Sequence, residues 1–304
     1  MKIPAYFRSE YAPSEVPLLA RLRNTAERLH RLGLAELRSP EPVQPDALAG
    51  LHDPAYLQAF LDGTEPMASR QGIAWSPAMR DATLAMLGGQ LAAADTAMRE
   101  GIAMNIARGF HHAVHAAGTG YCPINGLALL ALQAPQRRVM VIDCDEHGGN
   151  GTEEFAARLP NLYNVSIFGT RFGCNGGLRS WPFQVRVHEE GFERYREALR
   201  AAEDLVERHA PDLLVYQAGA DCHEDDPKSL SRMTTHQLFQ RDLAVFRMAR
   251  ERGLPILFLV AGGYQGAERV ARLNANTVRA ARWVWQSVGA GGDTRPLPAL
   301  SRIR

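Results

Sequence analysis

The sequence predicts an α/β fold in one domain spanning residues 1–304, with a mostly parallel central sheet and helices on both faces. Three observations carry this. From residue 103 onward, short apolar β-rich runs alternate with polar loops and amphipathic helical stretches, the pattern of parallel strands joined by helical crossovers. No linker-like composition and no internal repeat interrupts the 304 residues, a length that α/β folds hold in one unit. Four polar clusters, His111 with His112, Asp145 with His147, Asp221, and Tyr264, each fall just after an expected strand. That is the carboxyl edge, where sheets of this kind bind ligands.

The elements follow in order. Residues 3–7 read as a first strand, and 16–31 as a helix ending at Gly33. Pro40, Pro42 and Pro45 mark a loop before two short helices at 46–51 and 54–61. Residues 63–76 mix Gly, Pro, Ser and charge and read as a surface loop. Pro77 opens a long helix to residue 100, since proline suits the first helical turn. Gly88 and Gly89 lie within that helix and point to close packing there. Strands are then expected at 103–107, 139–142, 162–167, 213–216 and 255–260. Helices are expected at 125–132, 191–209, 235–252 and 267–288. Residues 169–182 carry four glycines and read as a loop, and 289–304 as a loosely held tail.

Composition narrows the function. The net charge of +1, with no dense basic run, gives no broad nucleic-acid-binding surface. No apolar stretch is long enough for a membrane span or a signal peptide, so a cytoplasmic location and no membrane partner are expected. Cys122, Cys144, Cys174 and Cys222 lack paired zinc-finger spacing and read as reduced cysteines. Three of them, Cys122, Cys144 and Cys222, lie beside the polar clusters and read as packing residues.

The densest chemistry sits at Val139-Met140-Val141-Ile142-Asp143-Cys144-Asp145-Glu146-His147. Alternate residues of a strand share a face, so Asp143, Asp145 and His147 point one way along an extended path. Asp145, His147 and Asp221 offer two carboxylates and an imidazole, and three protein ligands with an open position define a catalytic rather than a structural zinc site. The same donors suit Fe(II) or Co(II). The adjacent His111 and His112 suit an acid and base pair whose tautomers need fixing, with Asp143 and Asn150 as candidates. An imidazole against neutral Asn stays closer to neutral than one against a carboxylate and is the better base. Tyr264, after Gly262 and Gly263, offers a phenol to a developing oxyanion. Gly148-Gly149-Asn150-Gly151 matches no phosphate-binding motif.

Taken together the motifs resemble the histone deacetylase family, on its arginase-like fold. The resemblance runs through Leu51-His52-Asp53-Pro54-Ala55-Tyr56-Leu57, Gly109-Phe110-His111-His112-Ala113 and Gly120-Tyr121-Cys122. It continues through Asp143-Cys144-Asp145-Glu146-His147-Gly148-Gly149-Asn150-Gly151-Thr152, Gly219-Ala220-Asp221 with Asp226-Pro227, and Gly262-Gly263-Tyr264. Gly263-Tyr264-Gln265 and Phe246-Arg247-Met248 look most like class IV and its bacterial relatives.

The resemblance implies a zinc-dependent deacylase acting on an acyl-lysine protein or peptide, or on a small acylated amine. Asp145, His147 and Asp221 would bind Zn2+. His112 would be the general base, oriented by Asn150. His111, paired with Asp143, would stabilise charge and protonate the leaving amine, and Tyr264 would polarise the acyl carbonyl. Gly120, Tyr121, Lys228 and Gly263 would line the substrate tunnel. Asp143, Asp145, His147, Ser166 and Ile167 would hold a structural monovalent cation, K+. At the tunnel mouth, polyamine-specific relatives carry an acid where this chain has Lys228, a cation that would repel a second ammonium.

Three positions depart from the family's usual residues: Gly148 stands for His or Gln, Arg108 for Gly, and Gly126 for Asp. The closest rival is a two-metal ureohydrolase of the same fold. It needs an Asp where this chain has Gly149, although Asp221-Cys222-His223 keeps part of that pattern. A catalytically silent acyl-lysine-binding protein is a second rival, but mere binding needs neither histidine nor Tyr264.

Overall fold

Eight strands pair in the order β2-β1-β3-β8-β7-β4-β5-β6, and every pairing is parallel. The strands are β1 (Ile3–Tyr6), β2 (Ala35–Arg38), β3 (Ile102–Asn105), β4 (Val139–Asp143), β5 (Leu162–Phe168), β6 (Ser180–Gln184), β7 (Leu213–Ala218) and β8 (Ile256–Val260). This computed structural model describes residues 1–287. The expected tail at 289–304, and Val288 at the end of the last helix, lie outside the described residues.

The helices are α1 (Pro17–Arg31), α2 (Pro54–Asp62), α3 (Pro77–Glu100), α4 (Gly126–Gln133), α5 (Asn150–Arg158), α6 (Val187–Glu190), α7 (Phe192–His209), α8 (Thr235–Glu251) and α9 (Ala267–Ser287). Local chemistry sets their ends. Asp53 accepts from the Ala55 and Tyr56 amides to start α2, and Ser76 accepts from Met79 to start α3. Thr234 and Gln237 form a reciprocal capping box on α8. Gly88 and Gly89 are confirmed as packing glycines. A Cβ at Gly88 would collide with the Glu41 carbonyl, and one at Gly89 with the Tyr11 hydroxyl.

The central strands β4, β7 and β8 are buried along their whole length, as their unbroken apolar runs require. Tyr216, Phe246 and Phe258 stack edge to face beneath them, with centroids 5.6 and 5.1 Å apart. Among the described residues, no helix is long and apolar enough to cross a membrane. All four cysteines are free and buried.

Four expectations are corrected. Residues 35–38 form edge strand β2, where alternating charge masked the strand pattern. Residues 180–184 form edge strand β6, so the loop at 169–182 ends three residues early; Pro182 is tolerated because β6 lies at the sheet edge. Residues 150–158 form α5, a helix the sequence pattern did not lead one to expect. The strand expected at 103–107 spans Ile102–Asn105.

The order places β8 and β7 between β3 and β4, though both come later in the chain. Loops leaving β3, β4, β7 and β8 therefore converge at one carboxyl edge, and they carry the four polar clusters.

Candidate metal and catalytic site

Asp145 and His147 leave the end of β4, and Asp221 leaves β7. Their ligand-type atoms all lie within 4.8 Å of one another. His147 Nδ1 stands 3.3 Å from Asp145 Oδ1 and 3.4 Å from Asp221 Oδ2. Asp145 Oδ2 accepts the Gly262 amide at 2.7 Å, and Asp221 Oδ1 accepts the Glu146 amide at 3.1 Å. Asp221 Oδ2 is buried with no hydrogen-bond partner. A buried carboxylate oxygen is costly to leave unpaired. A cation held between these three side chains satisfies it, so the residues present fit a divalent metal.

Electrostatics agree. Burial and the Asp145 charge push Asp221 up to about 7. Burial opposes a charge on His147, but the adjacent Asp145 and Asp221 carboxylates raise it to about 10. The cluster thus attracts positive charge strongly. Arg241 of α8 braces the two strand ends from behind, donating to the Cys144 carbonyl at 3.0 Å and the Gly219 carbonyl at 2.8 Å. Gly262 has no room for a side chain, because a Cβ there would collide with Asp221 Oδ2.

His111 and His112 follow β3, with rings 3.8 Å apart, and are preceded by Phe110 at φ 59°. Their partners differ. His111 Nδ1 lies 2.7 Å from Asp143 Oδ2, and His112 Nδ1 lies 2.8 Å from Asn150 Oδ1. Burial opposes a charge on His111, but Asp143 and Asp145 outweigh it and raise its pKa. Burial and the neighbouring His111 charge hold His112 well below the ordinary value. The Asn150 oxygen accepts, so the His112 Nδ1 carries the proton and Nε2 keeps a free lone pair.

Tyr264 follows β8. Its amide donates to Asp226 Oδ2 at 2.6 Å, and burial keeps its phenol protonated. Tyr121 faces it, with rings 6.5 Å apart. Lys228 Nζ is exposed and stands 4.6 Å from the Tyr121 centroid and 4.1 Å from the Tyr264 centroid. Gly120, at φ 52°, lies against the His112 ring, where a Cβ would clash. Gly263 leaves room for Arg21, whose guanidinium donates to the Gly263 and Ala261 carbonyls. Ser166 pairs with Asp143 in the β4–β5 register and accepts the Gly149 amide at 3.1 Å; Ile167 is the next residue of β5.

Every sequence-selected site residue therefore lies at this one edge. Of the departures, Gly148 fits because a Cβ would collide with the Arg171 carbonyl and Cys174. Gly126 similarly abuts Gln90 and Leu87. Gly149 has no room for the ureohydrolase carboxylate, since a Cβ there already lies 2.5 Å from Asp143 Oδ2. His223 is turned away, engaging Thr235 Oγ1 at 2.9 Å and the Asp225 amide at 3.1 Å. Sequence reasoning missed Phe172, whose ring is 4.1 Å from His112, and the roles of Arg21 and Arg241. Phe172 lies in a glycine-rich loop, where a lone aromatic was the only signal.

Comparison with known proteins agrees with this geometry. A model of the Histone deacetylase domain matches residues 17–281. An uncharacterized protein of Picosynechococcus sp. is 32% identical over 74% of this chain and 78% of its own length. Acetylpolyamine amidohydrolase of Burkholderia pseudomallei is 34% identical over 73% of this chain and 66% of its own. Histone deacetylase 2 of Arabidopsis thaliana is 31% identical over 63% of this chain but only 51% of its own length, so the chain spans about half of that relative. The crystal structure of acetylpolyamine aminohydrolase from Burkholderia pseudomallei superposes with a TM-score of 0.73 over 93% of this chain and 99% of that one, at 24% identity, which speaks to the fold. The chain has this arginase/deacetylase-like fold and belongs to the histone deacetylase family of amide hydrolases.

Proposed function

We propose that the chain is a metal-dependent deacylase hydrolysing the amide of an N-acyl lysine or a related acyl-amine. The observation that carries this is the buried Asp145/His147/Asp221 cluster, with its unpartnered Asp221 oxygen, beside two histidines given opposite partners. When bound there, a divalent ion, Zn2+ (or Fe2+ or Co2+), supplies a Lewis acid for the acyl carbonyl and lowers the pKa of water to about 7.

The chain's own groups do the rest. His112, held neutral by burial and oriented by Asn150, takes the proton of the attacking water on Nε2. His111, held cationic by Asp143, stabilises the developing negative charge and gives a proton to the leaving amine. Tyr264 donates its phenol hydrogen to the same oxyanion. Tyr121, Gly120, Gly263 and Phe172 wall the tunnel that positions the acyl-bearing chain. Asp143, Asp145, His147, Ser166 and Ile167 converge at the β4–β5 ends and form the K+ site that would stiffen the metal ligands from behind.

Among acyl-amines, Lys228 turns the choice away from polyamines. Its ammonium occupies the aromatic mouth, where a polyamine's second ammonium would have to pass. A relative bears the name acetylpolyamine amidohydrolase, so this is a divergence within the family. Gly149 supports one metal over two, and retention of both histidines with Tyr264 supports catalysis over silent binding.

The test is metal content together with an acyl panel. Zinc-loaded protein should hold one divalent ion at this site and release carboxylate from acyl-lysine peptides. Two ions per chain with arginine-type hydrolysis would support the ureohydrolase reading instead.

A further inference from the structure

Arg108 immediately precedes the Gly109-Phe110-His111-His112 segment and is 5% exposed. Its Nη2 lies 3.4 Å from the Tyr264 hydroxyl, while its buried Nη1 has no hydrogen-bond partner. The neighbouring cation differs in that only its Nε lacks a partner. Arg21, whose Cζ is 5.7 Å from the Tyr264 centroid, spends both terminal nitrogens on the Ala261 and Gly263 carbonyls. Among the described residues, no carboxylate forms an ion pair with Arg108. Asp145 and Asp221 act on it only through space.

A buried cation with a free donor is an expensive arrangement unless something completes it. A neutral alkyl tail packed against Nη1 offers it no acceptor and cannot do so. A carboxylate would form a charge-assisted bond with it, the strongest class of hydrogen bond available there. Arg108 also touches the Tyr264 hydroxyl, the group that the deacylase reading aims at the acyl carbonyl, whereas Lys228 stands over the Tyr121 and Tyr264 rings.

We propose that Arg108 is an acyl-specificity residue whose free Nη1 binds the terminal carboxylate of a dicarboxylic acyl group, of the malonyl, succinyl or glutaryl type, on the substrate amine. This rests on the deacylase reading above. The chemistry is the same hydrolysis: water oxygen bonds to the acyl carbon, the C–N bond breaks, the amine leaves with a proton, and a dicarboxylate is released.

The experiment compares acetyl-, butyryl- and succinyl-lysine peptides on zinc-loaded wild type, Arg108→Met and Arg108→Lys, with Tm as the folding control. Arg108→Met keeps the length and removes the buried charge, so a folded product is expected. Wild type should prefer succinyl to butyryl. In Arg108→Met the succinyl-to-acetyl ratio of kcat/KM should fall at least about tenfold, the worth of one bond to a charged group; Arg108→Lys should retain part of it. Calorimetric titration with succinate should show tighter binding to wild type than to Arg108→Met. Equal loss on all three peptides would make Arg108 a positioning residue for Tyr264 and overturn the proposal. Inhibition by free acetate that depends on Arg108, without a succinyl preference, would make it a product site and overturn it too. If no peptide is cleaved the deacylase reading fails, while equal succinate titrations of wild type and Arg108→Met would separately overturn the role of Arg108.

Discussion

His112 Nδ1 lies 2.8 Å from the amide oxygen of Asn150, where the adjacent imidazole, His111, meets the carboxylate of Asp143. One atom, oxygen against amide nitrogen at the far side of the partner, separates a neutral imidazole from a cationic one. In Asn150→Asp the new carboxylate would favour protonated His112. The acid limb of the kcat/KM profile should then move to higher pH by about one unit or more. An unmoved profile would contradict the assignment of His112 as base.

Gly262 sets how closely the segment after β8 approaches the proposed metal ligands. Gly262→Ala places a methyl against Asp221 Oδ2 and displaces that carboxylate. Metal affinity, measured by competition with a chromogenic chelator, should fall about 10–100-fold. Wild-type affinity in this variant would argue that Asp221 is not a ligand.

Lys228→Glu should raise kcat/KM on acetylspermidine at least about fivefold over wild type, by replacing repulsion with attraction at the tunnel mouth. Comparable values for the two proteins would show that Lys228 points to solvent during turnover.

His52 gives a pH-dependent stability away from the metal. Its Nε2 accepts the Asn125 amide at 3.0 Å, and its Nδ1 donates to the Val114 and His115 carbonyls at 2.9 and 3.0 Å. Burial pushes it down to about 4, despite those carbonyls. The unfolded chain takes this proton near pH 6.5 and the folded chain only near 4. The contribution is therefore complete above 6.5 and is lost as pH falls from 6.5 toward 4. In His52→Gln, urea denaturation should show a shallower fall of stability across that window. It should also show about 1–3 kcal/mol less stability at pH 7, from the broken bonds. An identical slope would remove His52 from the acid response.

The sheet core was legible because β4, β7 and β8 are continuous apolar runs, buried on both faces. The edges were not. β2 is four residues with alternating charge, and β6 contains Pro182, which only an edge strand accepts. The site residues were legible because Asp145, His147, Asp221 and Tyr264 all sit just past a strand. Arg21 and Arg241 were not, since a helical arginine reads as solvent-facing until the sheet it packs against is known. Arg108 was visible as a departure, but its free nitrogen is a fact of three-dimensional packing. Phe172 reaches His112 from a loop whose path no local pattern dictates.

The most direct measurement is amine release from an acyl-lysine peptide by zinc-loaded wild type and His112→Ala at matched metal content. Steady hydrolysis by wild type, with a loss of about 10²–10⁴-fold in the variant, is the predicted result. Equal rates in the two proteins, or no hydrolysis of any acylated amine by the metal-loaded wild type, would contradict the account.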